Sequence, residues 1–191
     1  MSAPAGEFYT EERWQNWLDR LRDAELDPED EESARLLLNL QDDVAIAVAK
    51  IVSAYDDDLP GEEAVAELST IRDIVLGPVD IEDEETAMLV DGVQTSLVAV
   101  FFAAEQYIAD GVADDDTVES YLRRAVQAEA EESFDEALEL TGHAGTRVID
   151  GEPLDIGVVE EFDYGLVTEW TNGLDSLQSA LSDPEVIEED E

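Results

Sequence analysis

The stretch DEETAMLVDGVQTSLVAVFFAAEQYIAD, residues 83–110, decides the fold. Its apolar residues recur with a helical period and show no run of strand-like alternation. A Gly77-Pro78 pair stands ahead of it and Gly111 behind it, so the sequence predicts one long helix between them. This is the most apolar helix in the chain and is expected at the centre. Its longest uninterrupted apolar run, Leu97 to Ala104, falls far short of the ~20 residues a membrane span needs. A polar stripe of Asp91, Gln94, Thr95 and Glu105 lies along it, interleaved with Val98 and Phe102.

The same period extends outward in both directions. Thr10 opens a short first helix with Trp14, Trp17, Leu18 and Leu21 on one face. Asp27 followed by Pro28 reads as an N-cap with proline at the first helical position. The second helix then runs to about Tyr55, with Leu37, Leu40, Val44, Val48 and Ile51 in its stripe. A third follows Gly61 and stops at Gly77. Beyond the central fourth helix, a fifth starts near Asp116 or Thr117, and a sixth at Ser133, where Ser133 and Glu136 match a capping box. A seventh is expected from Asp155 to Leu181, since Val167, Trp170, Leu174, Leu177 and Leu181 are spaced 3, 4, 3, 4. The expected architecture is an all-α bundle of about seven helices, the second, fourth and seventh at its centre. It comprises an N-terminal extension (1–9), a single helical domain (10–182) and an acidic tail (183–191). LQDDVAIAVAK from Leu40 also resembles VQTSLVAVFFA from Val93, a weak repeat offset by 53 residues.

Charge sets the chain's environment. It carries 52 Asp and Glu against nine basic residues, of which only Lys50 is a lysine, for a formal charge of −43. Self-repulsion of this size opposes a compact state in dilute buffer, whereas at multimolar salt the Debye length contracts to ~3 Å or less. The composition therefore reads as that of a salt-accumulating halophile, with hydrated K⁺ or Na⁺ ions at the surface. A hydrophobic content of 44% in periodic blocks argues for a core and against disorder. The N-terminus has neither a basic region nor an apolar run, so a cytoplasmic protein with no membrane contact is expected. The absence of cysteine removes disulfides and thiolate chemistry. Nine scattered cations cannot neutralise a nucleic-acid backbone, so no direct nucleic-acid binding is expected.

Four blocks resemble an uncharacterised protein family of halophilic archaea. They are EFYTEERWQNWLDRL (7–21), LLLNLQDDVAIAVAKIV (36–52), VDGVQTSL (90–97) and YGLVTEWTNGLDSLQSALSDPE (164–185). The resemblance covers most of the chain and implies no catalytic residues.

Few side chains stand out as candidate sites. Lys50 has no acid at three or four residues' spacing and shares a stripe with Asn39, Asp43 and Ser53, so it is expected to close a cross-helix ion pair. Asp91 and Glu105 are its candidate partners. Asp91 and Glu105 are also about 21 Å apart along their helix, too far to share a metal. Asp163 is expected within the apolar stripe of Val159, Leu166, Val167 and Trp170, with Glu160 at its edge. Glu136 and Glu139 on the preceding helix complete an E-x-x-E … E-x-x-D pattern. That pattern resembles the Mg²⁺-binding carboxylates of all-α MazG-like nucleotide pyrophosphohydrolases. His143, the only histidine, is expected opposite the core face, and Trp14 and Trp17 are expected to pin the first helix to the bundle. A single histidine excludes a ferritin-like di-iron set, and neither a G-x-S-x-G nor a Walker loop is present.

The sequence therefore favours a non-enzymatic interaction or regulatory protein with no catalytic residue and no cofactor. Its partner is another protein or a second copy of itself. The alternative is a metal-dependent nucleotide hydrolase using Glu136, Glu139, Glu160 and Asp163. The charge makes a direct prediction: circular dichroism should show native helix in molar KCl and its loss on dialysis to about 50 mM salt. An unchanged melt at low salt would refute the halophilic reading.

Overall fold

The structure, a computed structural model, describes residues 9–24, 26–27 and 29–182. The expected N-terminal extension up to Phe8, the proline at position 28 and the acidic tail lie outside the described residues. Among the described residues there are eight helices and no strand. They are α1 (Glu11–Asp23), α2 (Glu31–Asp57), α3 (Gly61–Val75), α4 (Glu84–Asp110), α5 (Val118–Ala130), α6 (Phe134–Asp150), α7 (Ile156–Val159) and α8 (Leu166–Ser182). The all-α bundle is as expected.

Most helix starts are set by side chains that accept the otherwise unpaired first N–H groups. Thr10, Asp83 and Thr117 do this for α1, α4 and α5. Two starts differ from expectation. The N-cap of α2 is Asp30, whereas Asp27 accepts from Glu29 N at 2.9 Å and closes a turn ahead of the helix. Ser133 occupies the N-cap of α6 but makes no side-chain cap bond, so the S-x-x-E box does not form.

The expected seventh helix is two pieces. Asp155 caps α7 through Gly157 N, but after Val159 the backbone tightens into three-residue turns, Glu161 N to Val158 O and Phe162 N to Val159 O. Regular helix resumes only at Leu166, where Glu129 of α5 accepts the Val167 N–H at 2.7 Å. A carboxylate from another helix thus caps α8, which no local pattern announces.

α2 and α4 are parallel neighbours, since Gln41 meets Ser96 and Tyr55 meets Ile108. Both have 27 residues and are capped by an aspartate followed by two glutamates, and both start and end 53 residues apart. Burial follows the same register: Leu40 and Val93, Val44 and Leu97, Val48 and Phe101, Ile51 and Ala104 are all core residues. Gln41 and Gln94, also 53 apart, each donate to backbone carbonyls of a neighbour, Asn172 O in one case and Val75 O and Gly77 O in the other. The 53-residue offset seen in the sequence is thus also the offset between the ends and the buried positions of these two helices.

Two hydrophobic cores flank this pair. One gathers α1, α2 and α3 against Leu97, Val100 and Phe101 of α4. The other gathers α5, α6 and α8 against its Ala99 and Ala103. By length and composition alone α4 would be able to cross a bilayer. Here it carries both cores. Close approach to it requires glycine: a Cβ on Gly173 of α8 would collide with the Ser96 carbonyl, and one on Gly145 of α6 with Ala103 Cβ. Ser96 O is backbone and cannot swing aside. Gly173→Ala should therefore cost about 3 kcal/mol, the upper end for overpacking. A urea melt in molar KCl checks this; the outward-facing Gly92→Ala, whose Cβ meets nothing within 4 Å, should be neutral or stabilising.

Candidate functional site

The four carboxylates of the hydrolase pattern do not converge. Glu136 and Glu139 are exposed on α6, where Glu139 lies 3.8 Å from His143 Nε2 on the same helix. Glu160 and Asp163 are exposed in the connector between α7 and α8. The expected place of Asp163 among apolar residues depended on an unbroken helix, and the break at Glu160 turns it out to solvent. Among the described residues no group of three or more His, Asp or Glu could hold a metal ion. His143 is half-buried, its ring 5.4 Å from that of Tyr121 on α5, and so lies in the α5–α6 seam.

The remaining candidates also separate. Asp91 is exposed near the start of α4. Glu105 is partly buried and paired with Arg72 of α3. Lys50 is half-buried on α2 and is not a free cation.

The structure instead brings polar groups together at helix junctions. Asp43 of α2 accepts from Arg13 Nε at 2.7 Å and from Trp17 Nε1 at 2.9 Å, fixing α1 to the bundle. Trp17 does pin the first helix, and it does so through its indole N–H as well as its ring. Tyr9 is buried beside this pair, and burial, reinforced by Asp43, holds its phenol above its ordinary pKa. At the centre, Gln41 donates to Ser176 Oγ at 2.9 Å and to Asn172 O at 3.2 Å, while the Ser96 hydroxyl donates to Gln41 Oε1 at 2.7 Å. Glu152 accepts from Val118 N at 2.5 Å and from Arg147 at 2.7 Å, and Arg147 also reaches Ala113 O. Burial would raise the Glu152 pKa, but the Arg147 and Val118 hydrogen bonds outweigh it and hold the carboxyl below its usual value. Asp175 of α8 is shifted the other way, by burial and by Asp42 of α2. Chemically these arrangements are ties between helices. None presents a nucleophile and base to an open cleft.

The family model described as "Uncharacterized protein conserved in archaea (DUF2150)" matches residues 7–190. The chain belongs to this archaeal family. No curated protein and no solved structure matches it. For this DUF2150 member, then, the geometry of its own residues is the guide to function.

Sequence reasoning missed Asp43, Gln41, Glu129 and Glu152 because each acts on a residue far along the chain. Gln41 had one available signal, its equivalence to Gln94 in the repeat. Glu67 of α3 went unremarked among so many acids, yet it is only 6% exposed. A carboxylate this deep is stabilised by a cation or by hydrogen-bond donors beside it. The α2–α3 hairpin turns near Leu59, and Lys50 and Glu67 lie nine and eight residues from that point on antiparallel arms. A double-mutant cycle of Lys50→Ala with Glu67→Ala should therefore give a coupling of about 1–3 kcal/mol, and the Lys50–Asp91 cycle none. Thermal melts in molar KCl measure both.

Proposed function

We propose that this protein is a non-enzymatic interaction or regulatory protein of a halophilic archaeon, working in the cytoplasm. The observation that carries the reading is where its surface departs from the acidic coat. Leu38 of α2 is 52% exposed and Met88 of α4 is 74% exposed, both toward the N-terminal ends of the parallel pair. Strong salting-out conditions raise the cost of leaving apolar surface in water, so a side chain kept outside at high salt is worth most when a partner covers it. The chain's many carboxylates would keep other acidic proteins of the same compartment away, which makes contacts at these two side chains selective.

The test uses the full chain in molar KCl. Immobilised wild type should retain a defined partner, or sediment as an oligomer if the partner is a second copy. The Leu38→Asp/Met88→Asp variant should lose that association with its melt unchanged. Incubation with Mg²⁺ and nucleoside triphosphates should release no pyrophosphate. Release that is abolished by Glu136→Gln/Glu139→Gln would overturn the proposal in favour of the hydrolase.

A further inference from the structure

Asparagine occurs three times in the chain, followed by Trp17, Leu40 and Gly173 in turn. The last pair, Asn172-Gly173, lies in the first half of α8. Asparagine before glycine is the setting in which the side-chain amide is most readily lost, because no side chain shields the following nitrogen. Here the glycine cannot be replaced freely. A Cβ at residue 173 would collide with the Ser96 carbonyl and crowd Val100. The crossing of α8 over α4 therefore imposes the reactive pair, with the Asn172 side chain exposed and Gly173 buried.

The fold also restrains that pair. Within α8 the Gly173 N–H points along the helix toward the Glu169 carbonyl, as interior amides of an α-helix do. Reaction needs the nitrogen released and turned onto the neighbouring side-chain carbon, which a helical ψ of about −42° does not allow. The Asn172 carbonyl is held as well, by Gln41 Nε2 at 3.2 Å. Unwinding α8 here would expose Trp170 and Leu174 of one core and Leu177 of the other. The reactive geometry is thus reached only when much of the bundle opens.

We propose that Asn172 is a self-modification site that the folded bundle keeps silent, and that its reaction makes prolonged unfolding irreversible. In the opened chain hydroxide takes the Gly173 amide proton, and the nitrogen attacks Asn172 Cγ. The N–Cγ bond forms, the Cγ–Nδ2 bond breaks, and Nδ2 leaves as ammonia with a proton from water, which restores the hydroxide. Water then opens the cyclic imide at one of its two carbonyls. The net change is one water consumed and one ammonia released. Opening at Cγ gives aspartate, a carboxylate three residues from Asp175, which burial and Asp42 already hold above its ordinary pKa. Opening at the main-chain carbonyl gives isoaspartate, whose backbone runs through Cγ and is one carbon longer. That backbone displaces both the carbonyl that Gln41 reaches and the glycine that faces Ser96.

The test holds the full chain in molar KCl at mildly alkaline pH, with and without urea above its melting midpoint, and follows residue 172 by peptide mass spectrometry. Conversion should be at least about a hundredfold faster in urea, since modification follows the population of the open form. In urea, Asn16 and Asn39 should lag far behind, each shielded by a bulky neighbour. On dilution from urea, the fraction of wild type that regains native helix should fall as isoaspartate accumulates. Asn172→Gln, whose longer side chain closes a larger ring slowly, should refold fully after the same incubation. Equal conversion rates with and without urea would overturn the proposal. So would isoaspartate-bearing chains that refold as well as fresh wild type, or the same loss of refolding in aged Asn172→Gln.

Discussion

The crossing of α8 over α4 at Gly173 and Ser96 is the constraint on which the other contacts depend. With no side chain on Gly173, the two backbones come close enough for the Ser96 hydroxyl and Gln41 to form a buried chain of hydrogen bonds reaching Ser176. That chain joins α2, α4 and α8 at one level and fixes their relative register. Hydrophobic packing is tolerant of sliding, whereas a buried amide left without partners is not. Gly145 repeats the close approach from α6, where Ala103 and Leu174 fill the space a side chain would take. The two cores then form on opposite sides of a helix whose position is already set.

Several of the few cations tie separate elements together. Arg13 links α1 to Asp43 of α2, Arg72 links α3 to Glu105 of α4, and Arg22 reaches the Asp80 carbonyl ahead of α4. Arg147 serves two backbone junctions at once, through Ala113 O and Glu152. A forked guanidinium can hold two acceptors in fixed geometry, which a lysine ammonium on a flexible stem does less well. This gives the preference for arginine over lysine a structural reason.

Helices were legible in the sequence wherever a periodic stripe met a local stop signal. Gly77, Asp83, Thr117 and Gly111 all lie within two residues of a helix end. The reading failed where the deciding partner was remote. Nothing near Glu160 announces that the helix breaks, because the replacement cap for α8 comes from Glu129 on α5. That one break removed Asp163 from the apolar stripe and dispersed the hydrolase pattern built upon it. The abundance of acids compounds the difficulty: buried Glu67 and exposed Glu136 look alike in a sequence so rich in carboxylates.

The match between α2 and α4 poses a problem that the chain must solve. Two parallel helices of equal length, with the same caps and the same burial register, offer α6 two similar places to dock. On α4 the seam that receives α6 is Ala99 and Ala103, small enough for Gly145 to approach. At the equivalent positions α2 carries Ile46 and Lys50, the only lysine in the protein. Both side chains are larger than alanine and leave less room for a helix at that separation. This pair of larger side chains therefore acts as an address label. It tells otherwise interchangeable halves apart, and a bundle that might have closed in two ways closes in one.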